Sequence, residues 1–385
     1  MMNELLQYMQ AHLDEIRADL SRLVELESPS DDPHALERCS AFIADRAREL
    51  TGSPVRTIHQ ENGPHLDILI GQHDVPRVLV LGHFDTVWPI GTLAERPYSD
   101  DGHIARGPGV FDMKAGLIQG LWAVQALRVV LKQSPSVRLL FNSDEEIQSV
   151  HSRPLIEAAA REVRTVLVLE PSLDGALKTA RKGVGRFQIS IRGRAAHAGV
   201  DPQTGRSAIA ELARAIEYLH NLTDPNLGTV VNVGVVSGGT RANVIAAEAH
   251  AIVDVRVVNL AEADRISRLV LALHPSRDGI AIDVTGQITR PPMQRTPDVG
   301  KLFVLAQRLG QRIGCDITEA ATGGGSDGNF CAALGIPVLD GLGAVGGGAH
   351  SIDEYVSIDC MPSRAALTAG LIAACSAEKI ADDAL

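Results

Sequence analysis

Val78-Leu79-Val80-Leu81-Gly82 is a short, uninterrupted apolar run that leads straight into His83-Phe84-Asp85. An apolar run of this length, without polar alternation, predicts a strand buried on both faces. Val137 to Phe141 and Val166 to Leu169 repeat the pattern, and helix-like spacing covers Met113 to Lys132 and Pro154 to Arg161. Strands that alternate with helices predict an α/β layer with a mostly parallel sheet covered by helices.

The rhythm changes near residue 183. Arg186 to Ile191 alternates like a half-exposed strand, and Arg206 to Leu222 has helical periodicity. Thr229 to Val236 and Ala246 to Val258 follow as two successive strands, then a helix at Ala261 to Leu273 and a strand at Ile280 to Thr285. The order β-α-β-β-α-β is that of a ferredoxin-like module. The α/β rhythm then resumes with a helix over Lys301 to Ile313, a short strand at Pro337 to Leu339 and a last helix over Arg364 to Ala377. The expected organisation is therefore a discontinuous catalytic domain, residues 1–182 and 289–385, interrupted by an inserted domain at 183–288.

Composition narrows the function. The chain has 385 residues, a net charge of −11 and only 13 aromatic residues, so it offers neither a phosphate footprint nor stacking platforms for nucleic acid. Its five cysteines are scattered and never spaced as Cys-x-x-Cys, which speaks against a disulfide framework and a thiolate zinc site. Met1 to Glu27 mixes apolar residues with Glu4, Asp14, Glu15, Arg17 and Asp19, and reads as an amphipathic helix and not as a signal peptide. No window holds 18 apolar residues, so no membrane span is expected and the expected location is the cytoplasm.

Thirteen histidines suggest metal, and position selects among them. The chemistry-bearing residues fall where open α/β sheets place ligands, beyond the carboxyl ends of strands. These are His83 and Asp85, Asp112 in the turn before a helix, Asp144-Glu145-Glu146, Glu170-Pro171, and His350 at the end of a glycine-rich loop. Imidazole nitrogen and carboxylate oxygen suit Zn²⁺, Mn²⁺ or Co²⁺. Two such ions about 3.5–4 Å apart can share a carboxylate and a water, polarise a carbonyl and lower the water's pKa toward about 7. Of the adjacent Glu145 and Glu146, one can act as base and the other as ligand.

His83-Phe84-Asp85-Thr86-Val87, Gly107-Pro108-Gly109-x-x-Asp112-Met113-Lys114-x-Gly116, Asp144-Glu145-Glu146, Glu170-Pro171 and Ala349-His350-Ser351 occur in one order along nearly the whole chain. In this the sequence resembles the zinc aminoacylase and glutamate carboxypeptidase metallopeptidases, in particular the carboxypeptidase G branch. The resemblance implies two Zn²⁺ ions per chain, replaceable by Co²⁺ or Mn²⁺. His83, Asp112 and Glu170 would bind one, Asp112 would bridge, and Glu146 and His350 would complete the second. It also implies Glu145 as general base, Asp85 as the residue orienting His83, and a cis peptide at Asp112-Met113. The inserted domain would mediate a homodimer. In it His197, in Ala196-His197-Ala198-Gly199, would reach across to stabilise the oxyanion, while Asn243 and Arg256 would bind substrate. Gly324, within Gly323-Gly324-Gly325, would line the pocket.

The chain departs from the family after Glu146, where Gln148 and His151 stand in a run that is usually small and glycine-containing. His12, His34, His59, His65, His73, His103, His220, His250 and His274 lie outside the motifs and read as surface or cap residues. Arg256 could pair with Asp254 or Glu248, and Asp85 could cap the following turn. Gly324-Gly325-Ser326-Asp327-Gly328 spells a serine-hydrolase elbow, but Thr318 to Thr322 before it is a poor core strand.

The leading expectation is a two-metal hydrolase that cleaves an amide next to a free carboxylate, releasing a C-terminal amino acid such as glutamate from a peptide or N-acyl conjugate. An N-acyl-amino-acid deacylase or a dipeptidase uses the same chemistry. A non-catalytic, metal-containing binding protein is the alternative from another class, and a free base beside the metals speaks against it. An NTP-binding α/β protein is poorly supported, because the Gly323 to Gly325 run lacks the Walker lysine and threonine spacing.

Overall fold

The computed structural model describes residues 1–71, 76–132 and 135–377. His73 lies outside the described residues. The chain divides into two compact units, one made of Met1–Ala180, Arg295–Ala321 and Ser326–Leu385, the other of Arg181–Gln294 with Thr322–Gly325.

The first unit is built on a six-stranded sheet in which Val78–His83 is buried along its whole length. It runs parallel to Val137–Asn142 on one side and to Thr165–Val168 on the other, and Val338–Leu339 extends the parallel part. The far side is antiparallel: Gly63–Ile70 pairs with Val137–Asn142, and Arg56–Gln60 closes a hairpin on it. The sequence reading contains no strand there, because Arg56-Thr57-Ile58-His59-Gln60 lacks an apolar run. His65 is corrected by this hairpin: residues 63–68 are all buried, so it is an interior residue and not a surface or cap histidine.

Helix Ala115–Val130 is buried on nearly every side between 115 and 127, so its apolar residues form no single stripe. It packs closely on the sheet through glycine. A Cβ at Gly116 would stand 2.2 Å from the carbonyl oxygen of Leu169, the residue before Glu170. Met361–Ser376 and Met2–Ala11 pack against the same helix. Met1 to Glu27 forms two helices, Met2–Ala11 and Leu13–Val24, broken at His12, whose ring Nδ1 lies 2.8 Å from the Tyr8 carbonyl. A small sheet of Ser99–Asp100, Ile104–Arg106, Tyr355–Ser357 and Gly346–Gly347 frames the loop that carries His350.

The second unit has the element order strand Gly183–Arg192, helix Ala208–His220, strands Val230–Gly238 and Glu248–Val257, helix Leu260–Leu271 and strand Ala281–Arg290. Its sheet is antiparallel throughout, with Glu248–Val257 and Gly183–Arg192 in the middle. Alternation along these strands buries Phe187, Ile189, Ile191, Val253 and Val255 with Leu212 and Ile266 of the helices. Val235, Val236 and Ile252 of this sheet are exposed.

Candidate metal centre

His83 is the last residue of the central strand, so the parallel ladder that fixes Val78–Gly82 also fixes its backbone. Glu170 follows Thr165–Val168, and Glu145 and Glu146 follow Val137–Asn142. Asp112 sits in the wide turn Val110–Lys114 that precedes the long helix, where its peptide bond to Met113 is cis. His350 comes from the loop between the two short strands and adopts a left-handed φ of 60°.

These five side chains form two groups that share Asp112. The ligand atoms of His83, Asp112 and Glu170 lie within 4.8 Å of one another, and so do those of Asp112, Glu146 and His350. His83 Nε2 is 3.2 Å from Asp112 Oδ1 and 3.6 Å from Glu170 Oε1. His350 Nε2 is 3.4 Å from Asp112 Oδ2 and 3.2 Å from Glu146. Each oxygen of Asp112 therefore faces a different histidine, an arrangement in which one carboxylate can serve both groups. Three carboxylates and two imidazoles make a donor set that fits a pair of borderline divalent ions.

The protein's charges are poised for such ions. Burial would raise the Asp112 carboxyl, but hydrogen bonds to His350 and His83 hold it well below the usual carboxylate range. The same bonds, to Asp112 first and Glu146 second, lift the His350 imidazole to about 10. Burial opposes protonation of His83, yet its bonds to Asp112 and Asp85 raise it well above an ordinary histidine. Burial raises Glu146, against the pull of His350.

Asp85 is fully buried and does more than face His83 Nδ1 at 3.4 Å. Its Oδ1 accepts the backbone N–H of Glu145 at 3.1 Å, and its Oδ2 accepts the N–H of Glu146 at 3.1 Å and the Ser30 hydroxyl at 2.7 Å. One carboxylate thus ties the strand end that carries His83 to the segment that carries Glu145 and Glu146. Beyond Glu146 the chain turns sharply, with Gln148 at φ 79° and Ser149 at φ 55°. Ser149 is held there by its N–H to the Asp144 carbonyl, 2.7 Å, and by its hydroxyl on Asp327. Asp327 also accepts from Asn142 at the end of the neighbouring strand. The left-handed positions explain why small residues and glycine suit this run, and hydrogen bonds hold Gln148 and Ser149 in it instead. The sequence assigns these supporting roles to none of Asp327, Ser30 and Asn142, because each acts through contacts distant in the chain.

In the second unit, His197 and Asn243 lie on adjoining segments, joined by the Ala198 N–H on the Asn243 carbonyl at 3.0 Å. The His197 ring accepts the Gly199 N–H at 3.2 Å and is solvent-facing. Arg256 makes two parallel bonds to Asp254, at 2.8 and 3.1 Å, and a third to the Gly323 carbonyl at 3.3 Å. Gly324 has open space where a side chain would stand. Glu319–Thr322, before the Gly-x-Ser-x-Gly letters, is a short strand with alternating exposure and not a buried elbow strand. The Ser326 hydroxyl donates to the buried Asp340 at 2.6 Å.

Residues 79–374 match the model of peptidase family M20/M25/M40. The chain is 29% identical to carboxypeptidase G2 of Pseudomonas sp. (strain RS-16) over 371 residues, which is 92% of this chain and 87% of that one. Among solved structures, aminopeptidase PepT of Bacillus cereus superposes with a TM-score of 0.76 at 21% identity, over 94% of this chain and 98% of that one. The YXEP protein of Bacillus subtilis, a dinuclear metal-binding peptidase of family M20, superposes with a TM-score of 0.69 at 19% identity over 94% and 98% of the two chains. The protein is a hydrolase that belongs to peptidase family M20/M25/M40.

Proposed function

We propose that this protein is a two-zinc amidohydrolase that cleaves an amide next to a free carboxylate and, like carboxypeptidase G, releases a C-terminal amino acid such as glutamate. The observation that carries the proposal is the pair of ligand groups sharing Asp112, with Glu145 adjacent to the ligand Glu146. The similarity to carboxypeptidase G2 along most of both chains supports the same reading.

His83, Asp112 and Glu170 would hold one ion, and Asp112, Glu146 and His350 the other. Bound there, the ions would polarise the scissile carbonyl and acidify a water. Glu145 takes the proton from the attacking water and returns it to the leaving amine. Asp85 holds the His83 ring through its backbone carbonyl, 3.0 Å from Nδ1, and its carboxylate, through two backbone N–H groups, sets the direction from which Glu145 acts. His197 would donate to the developing oxyanion from the second copy of a homodimer, formed through the inserted domain at about residues 183–288. Arg256 and Asn243 would bind the substrate carboxylate, and Gly324 would permit close approach of its backbone. The pair with Asp254 orients the Arg256 guanidinium, which has five donors and commits three of them to Asp254 and Gly323. Among the described residues no helix is long and apolar enough to cross a membrane. The scattered cysteines accord with a cytoplasmic enzyme.

The test is amine release by zinc-loaded protein from matched N-acyl glutamates, other N-acyl amino acids and dipeptides. Preference for a C-terminal glutamate supports the proposal. Equal or better cleavage of dipeptides, or of N-acetyl amino acids irrespective of side chain, assigns the site to a dipeptidase or deacylase. Glu145→Gln is expected to retain metal and lose roughly 10²–10⁴-fold in kcat, the usual contribution of a general base. Undiminished turnover in that variant removes Glu145 from the role.

A further inference from the structure

We infer that Glu354 is a positioning residue for the metal centre, whose carboxylate sets the place of Asp112 by holding the backbone of its turn. The inference rests on the two-metal reading above. Glu354 is 1% exposed. Its Oε1 accepts the N–H groups of Phe111 at 2.9 Å and Asp112 at 3.1 Å, and its Oε2 accepts the Gly109 N–H and the Trp88 indole N–H, both at 2.9 Å. Both oxygens are thus saturated by donors from chain more than 240 residues away.

The turn needs an outside acceptor. Asp112 and Met113 have non-helical angles, φ −113° and −133°, and the long helix begins only at Ala115. The N–H groups that precede a helix have no acceptor within it, and a buried N–H left unpaired costs about 1–3 kcal/mol. A carboxylate satisfies several of them at once through charge-assisted bonds, which are shorter and stronger than neutral ones. Water or a neutral side chain could satisfy the same donors without fixing the turn as tightly.

Glu354 also belongs to the loop that carries His350. Its own N–H donates to the Ser351 carbonyl at 3.1 Å, and the Ser351 N–H donates to the Gly348 carbonyl at 2.8 Å, a turn that encloses His350. Trp88 extends the same junction to the segment that follows His83 and Asp85. One side chain therefore registers three ligand-bearing segments against one another through backbone and indole N–H groups. A lone glutamate in Ser-Ile-Asp-Glu-Tyr gives no hint of this in the sequence.

The test measures zinc affinity, not turnover. The metal-stripped full-length protein and its Glu354→Gln, Glu354→Asp and Trp88→Phe variants are titrated with zinc against a chromophoric chelator, at a temperature well below each variant's Tm. Glutamine turns an NH₂ group toward N–H donors, and aspartate draws the carboxylate back by one carbon. Both are expected to raise the zinc dissociation constant 10–100-fold, as loss of an outer partner does. Both ions should be affected, because Asp112 serves both groups. Trp88→Phe removes one donor of the four and should give a smaller rise. A purely structural role would lower Tm and leave the affinity of the folded protein alone. Wild-type affinity in every variant that folds overturns the inference. A wild-type protein that takes up no zinc pair instead fails the two-metal reading itself.

Discussion

Asp85→Asn is the substitution that probes the centre most sharply, because it changes one charge and almost no volume at a fully buried position. The carboxylate accepts three hydrogen bonds, from Ser30 and from the Glu145 and Glu146 backbone, and faces His83 Nδ1. Asparagine keeps one acceptor oxygen and presents an NH₂ group in place of the other, so one backbone N–H meets a donor. That buried, unsatisfied group costs about 1–3 kcal/mol. The bonds that survive also drop from charge-assisted to neutral strength, about 1 kcal/mol each. The expected loss of stability is roughly 2–5 kcal/mol for metal-free protein, read from the urea midpoint with the slope unchanged. The catalytic consequence is separate: the Glu145–Glu146 segment loses its tie to the strand end, and the His83 ring, whose Nδ1 keeps the Asp85 backbone carbonyl at 3.0 Å, loses the charge beside it, so zinc affinity should fall 10–100-fold. kcat should fall as well, and more than KM rises. A variant within about 0.5 kcal/mol of wild type, with unaltered zinc affinity, would refute the assignment of Asp85 as the tie between these segments.

Three further outcomes are expected. The His350 imidazole of the metal-free protein, raised from 6.5 to about 10 by Asp112 and Glu146, contributes stability that is fully present below pH 6.5 and is lost as pH rises through about 10. The urea midpoint of chelator-treated protein should therefore decline across that window relative to His350→Ala, and parallel profiles would remove the cause. Zinc uptake at pH 7 should release protons from His83 and His350, measurable by calorimetry in buffers of different ionisation enthalpy. His197→Ala should lower kcat by about 10²–10³, the usual effect of removing an oxyanion donor, with two metal ions retained. Full activity in a protein that sediments as a monomer would exclude a contribution of His197 from a second copy.

The parts of the centre that were legible in the sequence are those carried by short motifs at strand ends. His83, Asp112, Glu146, Glu170 and His350 each follow or precede an apolar run or a glycine-rich turn, and the structure brings all five together. The insert's strand and helix order could be read because alternation and helical spacing are local signals. The supporting residues were illegible for the converse reason. Glu354 and Asp327 act on backbone or side chains more than 170 residues away, and no local pattern distinguishes them from surface acids. His65 misled because a histidine in a strand without a clean apolar run looks exposed, whereas its strand is interior to the sheet. The hairpin at Arg56–Gln60 and Gly63–Ile70 depends on pairing with Val137–Asn142, which is a property of the assembled sheet and not of either segment.

Catalysis by two divalent ions, held by two groups that share Asp112, is open to a decisive check. Elemental analysis of the purified protein, run in parallel with amide hydrolysis before and after chelation, provides it. About two divalent ions per chain are expected, with activity lost on their removal and restored by zinc. Full hydrolytic activity in a preparation free of metal would contradict it.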